Sequence, residues 1–115
     1  MNENDLVRLH HMLDSAREAI AFADGENREA LDTDRKLTLA LIKSVEIIGE
    51  AASKLSQATR DANPQIPWSK IAGMRNRLVH AYFDINLNLL WETVTNDLPV
   101  LAQELVKIIP EGDNP

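Results

Sequence analysis

The stretch RNRLVHAYFD, residues 75–84, holds two arginines, one of the chain's three histidines and its only tyrosine. A histidine titrates near neutral pH and serves as general acid or base, and an arginine grips a phosphate through paired hydrogen bonds while keeping its charge. Arg75 and His80 together therefore suit work on a phosphodiester. RNA brings its own nucleophile, the 2′-hydroxyl, so its cleavage needs proton transfer and stabilisation of charge at the phosphate rather than a nucleophilic side chain. In that chemistry Arg75 holds the scissile phosphate, His80 moves protons and Asn76 positions the substrate, while Arg77 is either a phosphate contact or a solvated charge. Two proton transfers are required and the motif has one histidine. A two-fold dimer would supply the second.

The elements that must carry these residues read as helices. Leu6, Leu9, Leu13, Ala16, Ile20 and Ala23 recur every three or four positions and paint one stripe, which Gly25 stops. Leu37, Leu41, Val45, Ile48, Ala52 and Leu55 form a second stripe, opened by Asp32, Thr33 or Asp34 as a cap. The polar run 56–64 and the prolines Pro64 and Pro67 then predict a turn. A shorter third helix, with Ile71, Met74, Leu78 and Tyr82 facing inward, carries the motif near its end. The fourth spans 88–109, with Pro99 expected to kink it at a cost of about 3 kcal/mol. Gly49 and Gly73, each costing a helix interior about 1 kcal/mol, predict close backbone approaches. The fold class is all-α: an up-and-down bundle of four to five helices, the fifth a short one between the first two.

Helical geometry makes the motif awkward. Five residues apart at 100° per residue, Arg75 and His80 point about 140° away from each other. Either the helix ends near His80, or a second copy of the chain completes the site.

At 115 residues the chain suits one domain, read as 1–109 with a frayed tail at 110–115. Apolar residues are 44% and charged residues 26%, which argues for a packed core and against disorder. No run is apolar for long enough to span a membrane, and the first residues lack a signal pattern, so the expected location is cytoplasmic. The absence of cysteine excludes disulfides and thiolate chemistry. His10 and His11 are neighbours that diverge on a helix and read as surface residues, not as a metal pair. No metal site and no cofactor is expected. The net charge is −6, yet from Ala62 to Phe83 there is no acid against Lys70, Arg75 and Arg77. That window predicts a local basic patch on an acidic body, able to meet a nucleic-acid backbone without binding it indiscriminately.

Three segments resemble one family. IIGEAASKLS at 47–56, IPWSKIAGMRNRLVHAYFDIN at 66–86 and LLWETVTNDLPVL at 89–101 are similar, in order and spacing, to the HepT-like toxins of the HEPN superfamily. The resemblance implies a helical homodimer whose ribonuclease motif, R-x-x-x-x-H, falls on Arg75 and His80, with Asn76 the polar residue after the arginine. The longer form R-x-x-x-x-H-x-Y is complete at Tyr82, which the resemblance implies is the acceptor of AMP from an MntA-like nucleotidyltransferase antitoxin. The expected function is thus a toxin acting as a metal-independent endoribonuclease on single-stranded RNA and silenced by that transfer. The alternative is a non-catalytic helical dimer that binds a nucleotide or the nucleotidyltransferase through the same cleft.

Overall fold

The computed structural model describes residues 1–81 and 84–110, and Tyr82 and the last five residues lie outside them. The fold is an all-α bundle, as the periodicity predicts. Helix α1 (Glu3–Ala23) is capped by Asn2, whose side chain accepts from the Asp5 backbone N–H at 2.7 Å. A short α2 (Ala30–Thr33) follows where the extra helix is expected, and Asp34 caps α3 (Arg35–Ser53) by accepting from the Leu37 N–H. These caps satisfy N–H groups that a helix start leaves unpaired. The apolar stripes of α1 and α3 then face each other: Leu9, Leu13 and Ala16 meet Leu41, Val45 and Ile48, all essentially inaccessible to solvent. Met12 and Ala19 widen the α1 stripe, while Leu6 and Ile20 on α1 and Leu37 on α3 sit half-buried against the core.

The polar run expected as a turn contains a helix. Ser56 caps α4 (Gln57–Ala62), and that cap is tied to α1 by a buried acid. Asp5 is 1% exposed, and its carboxylate accepts from the Ser56 backbone N–H at 3.0 Å, the Ser56 hydroxyl, the Thr59 hydroxyl at 2.6 Å and the Asn2 amide at 3.2 Å. Four donors turn a costly buried charge into a clamp between α1 and α4. Turn chemistry in the sequence concealed the helix because its stability comes from this distant partner.

The expected third helix is two. Helix α5 (Trp68–Ala72) ends at Gly73, with Pro67 at its N-cap, and α6 (Met74–Leu78) ends before the motif is complete. The chain then forms a small antiparallel hairpin, β1 (Val79–Ala81) paired with β2 (Asp84–Ile85), with a register irregularity. Strands of three and two residues are too short to show a period of two. Asn86 locks the hairpin's exit: its N–H donates to the Leu78 carbonyl at 2.8 Å and its side chain caps α7 (Leu87–Glu92).

Where Pro99 is expected to kink the fourth helix, a π-helical turn, Thr93–Asp97, follows α7 and leads into α8 (Leu98–Ile108). Pro99 stands in the first turn of α8. The Leu98 N–H reaches back five residues to the Thr93 carbonyl, and the widened turn accommodates an imide that cannot donate. Val94, Leu98 and Leu105 complete the core against α1, and Leu90 on α7 is buried where that helix meets α3 and α6.

Of the two glycines singled out, Gly49 marks a close approach. A Cβ there would lie 3.2 Å from the Ala72 carbonyl oxygen and 3.3 Å from that of Ile71, so the backbones of α3 and α5 meet with no side chain between them. Gly73 does not. Its nearest neighbour would be the Ser69 carbonyl at an ordinary 3.5 Å, and its role is to join two helices.

The Asp5 clamp makes stability depend on acid. Burial alone raises the Asp5 pKa, and the hydrogen bonds from Ser56 and Thr59 outweigh it, leaving the carboxyl below its ordinary 3.8. A depressed folded pKa adds stability that is complete above the unfolded value and is lost as pH falls through the folded one. Asp5→Ala should lower unfolding free energy by about 2 kcal/mol at neutral pH. The gap between wild type and Asp5→Asn should stay constant down to about pH 4 and narrow below it, as read by urea unfolding across pH.

Candidate active site

Helix α6 presents Arg75, Asn76 and Arg77 to solvent between the buried Met74 and Leu78. Two residues apart on a helix, the arginines diverge, and each is held by a different element. The Arg75 Nε donates to Glu46 Oε1 on α3 at 3.4 Å, and Glu46 Oε2 lies 3.8 Å from the Lys43 Nζ one turn earlier. The Arg77 Nη2 instead donates to the Lys70 carbonyl at 3.1 Å, near the end of α5. Arg77 and Lys70 stand on one rim of a groove of about 200 Å³ walled by Ile71, Met74, Leu98 and Leu101, with Asp97 and Glu104 opposite. Arg77 is therefore separated from the Arg75 contact. The acid-free window is not an uncompensated patch either, because Glu46 enters from outside it.

His80 departs most from the helical expectation. Helix α6 stops at Leu78, where the Val79 N–H donates back to the Arg75 carbonyl, and the chain becomes extended. Strand alternation then buries Val79 and turns His80 outward. The 140° divergence of a continuous helix does not apply, and the inward position expected for Tyr82 falls outside the described residues. Of the two solutions open to the sequence, the chain uses the helix end. The need for a second copy no longer follows from side-chain divergence, though the shortage of a second proton-transfer group persists. Val79 is β-branched, at home in extended backbone, and its hydrophobic side chain is 8% exposed. Burying it is what orients His80.

Lys43 and Glu46 carry no signal in the motif itself. Glu46 lies 29 residues before Arg75, and the pair shows in sequence only as a lysine and a glutamate three apart on a polar helical face. His10 is half-buried and His11 exposed, at the surface as expected. Among the described residues, no three acidic or imidazole side chains gather closely enough to hold a metal ion, and no helix is long and apolar enough to cross a membrane.

Comparison with known proteins covers nearly all of this architecture. The model of the HepT-like ribonuclease family matches residues 12–108, from the middle of α1 to the end of α8. A Caldanaerobacter subterraneus protein named as a candidate RNase is 37% identical over 101 residues, covering 88% of this chain and 90% of its own. A Thermococcus cleftensis protein carrying the name "Probable ribonuclease HepT" is 40% identical over 75 residues, 65% of this chain and 68% of its own. A Methanocaldococcus jannaschii protein whose name joins a gamma-glutamylcyclotransferase to a candidate RNase is 34% identical over 113 residues, which is 98% of this chain and 51% of that longer protein. No solved structure matches the chain.

Proposed function

The chain belongs to the HepT-like ribonuclease family, and on that footing we propose that it is a metal-independent endoribonuclease acting on single-stranded RNA, the toxin of a toxin–antitoxin pair. The observation that carries the reading is the corner between α6 and β1. Arg75 and His80 flank it and are both exposed, one on the helix and one on the strand that follows it.

In the proposed step the 2′-oxygen attacks the adjacent phosphorus and gives its proton to a base, while the bond from phosphorus to the 5′-oxygen breaks and that oxygen takes up a proton. The products are a 2′,3′-cyclic phosphate and a 5′-hydroxyl. Arg75 offers guanidinium N–H groups to the phosphate oxygens, whose charge grows in the transition state. His80 performs one of the two proton transfers, and the other falls to His80 of a second copy in a homodimer. Asn76, exposed beside Arg75, hydrogen-bonds the substrate. Arg77 meets a neighbouring phosphate from its groove. The apolar walls of that groove, edged by Lys70 and Arg77 and by Asp97 and Glu104, also support the second reading, a non-catalytic dimer that holds a nucleotide or a nucleotidyltransferase.

Cleavage of single-stranded RNA in excess chelator separates the two. Wild type should cut, leaving cyclic phosphate ends, and Arg75→Ala and His80→Ala should each lose at least about 100-fold in rate with helical content unchanged. Binding without cutting would select the second reading, and loss of cutting on chelation would remove metal independence.

Silencing by an MntA-like nucleotidyltransferase fits the same chemistry. The Tyr82 hydroxyl would attack the α-phosphorus of ATP and release pyrophosphate, leaving an anionic AMP ester two residues from His80. That phosphate competes with RNA for Arg75 by charge and bulk. Incubated with a cognate transferase, ATP and magnesium, wild type should gain the mass of AMP and lose nuclease activity. Tyr82→Phe should gain none and stay active. Adenylylation of the Phe variant would move the acceptor elsewhere.

A further inference from the structure

Among the described residues, the Arg75 side chain makes one polar contact with another element, the ion pair with Glu46. Glu46 itself has two cationic neighbours, Arg75 at 3.4 Å on one carboxylate oxygen and Lys43 at 3.8 Å on the other. Both partners are substantially exposed: the side chain of Arg75 is 44% accessible and that of Lys43 70%. An exposed pair of this kind adds little to stability. Its interest lies in geometry.

A guanidinium is a rigid plane with five N–H donors, and it can grip a phosphate along either of two edges. One edge uses Nε with a neighbouring Nη, and the other uses both Nη groups. Glu46 engages Nε. That directs the Nε edge of Arg75 toward α3 and leaves the outer edge, with Nη1 and Nη2, for an incoming phosphate. The charges are balanced to the same end. Lys43, Glu46 and Arg75 together carry one net positive charge, so a phosphate is attracted while the carboxylate keeps the arginine from wandering. Without Glu46 the same surface would carry two positive charges on two flexible side chains.

We infer that Glu46 is a positioning residue for Arg75, holding its guanidinium by Nε so that the outer edge meets the scissile phosphate, and that it does so at the expense of RNA affinity. The inference rests on the nuclease reading above. Its signature is a split between binding and turnover. Removing the carboxylate strengthens attraction for an anionic substrate and disorders the group that must be aligned in the transition state, so KM falls while kcat falls too. A side chain that merely supported the fold would not move the two constants this way.

The test is steady-state cleavage of a short single-stranded RNA by wild type, Glu46→Ala and Glu46→Gln, with thermal melting as a check on folding. Glu46→Ala should lose about tenfold in kcat and show a lower KM, most clearly at low salt. Glu46→Gln keeps an amide oxygen that can accept from Nε, so its kcat should return to within about twofold of wild type, while its KM stays low because the charge is gone. Wild-type kcat in Glu46→Ala overturns the inference, and so does a glutamine variant as slow as the alanine one. Wild type that cuts no RNA removes the nuclease reading itself, and is told apart because the failure then lies in the unaltered protein.

Discussion

The close approach of α3 and α5 at Gly49 is the constraint on which the rest of the site depends. A Cβ at position 49 would crowd two carbonyl oxygens of α5 at 3.2 and 3.3 Å, so this glycine sets how near the broken helix α5–α6 can lie. Three residues earlier on the same helix, Glu46 reaches Arg75. With a bulkier residue at 49 the two backbones would separate, and an ion pair already 3.4 Å long would open. The helix propensity lost to glycine, about 1 kcal/mol, is offset by packing that also places Arg75 beside Glu46.

A second constraint acts at the other end of α6. A continuous helix through the motif would turn Arg75 and His80 apart. The chain is not helical there: it buries Leu78 and Val79, switches to extended backbone after Leu78, and fastens the hairpin's exit through Asn86 to the Leu78 carbonyl. Core packing thus decides the direction of a histidine that itself lies in solvent. The π-helical turn before Pro99 and the Asp5 clamp under α4 lie outside the motif and hold the long helices against which α5 and α6 pack.

Much of this was legible in the sequence, and unevenly so. The stripes on α1, α3 and α8 were clear because a buried helical face must repeat every three or four residues, and the caps at Asp34 and the stop at Gly25 are local chemistry. What escaped notice depended on partners far along the chain. Helix α4 looks like a turn until Asp5 is placed beneath Ser56 and Thr59. The break at Gly73 and the hairpin after Leu78 lie inside apolar spacing that a continuous helix would satisfy equally well. The site divides the same way: Arg75, Asn76, Arg77 and His80 are visible as a cluster of residue types, whereas Lys43 and Glu46 acquire meaning only when α3 is laid against α6. The position of Tyr82 is outside the described residues, so its part in the motif rests on the family pattern.

The central claim is that Arg75 and His80 address one phosphate from the two sides of the α6–β1 corner. Nitrogen-15 NMR of the protein, titrated with a short RNA made uncleavable by a single 2′-deoxy substitution, observes both side chains directly. His80→Gln assigns the imidazole against His10 and His11. The account predicts that the Arg75 Nε and the His80 ring nitrogens shift together along one binding curve, with one midpoint. Shifts at Arg75 with His80 unmoved, or two separate midpoints, would contradict it.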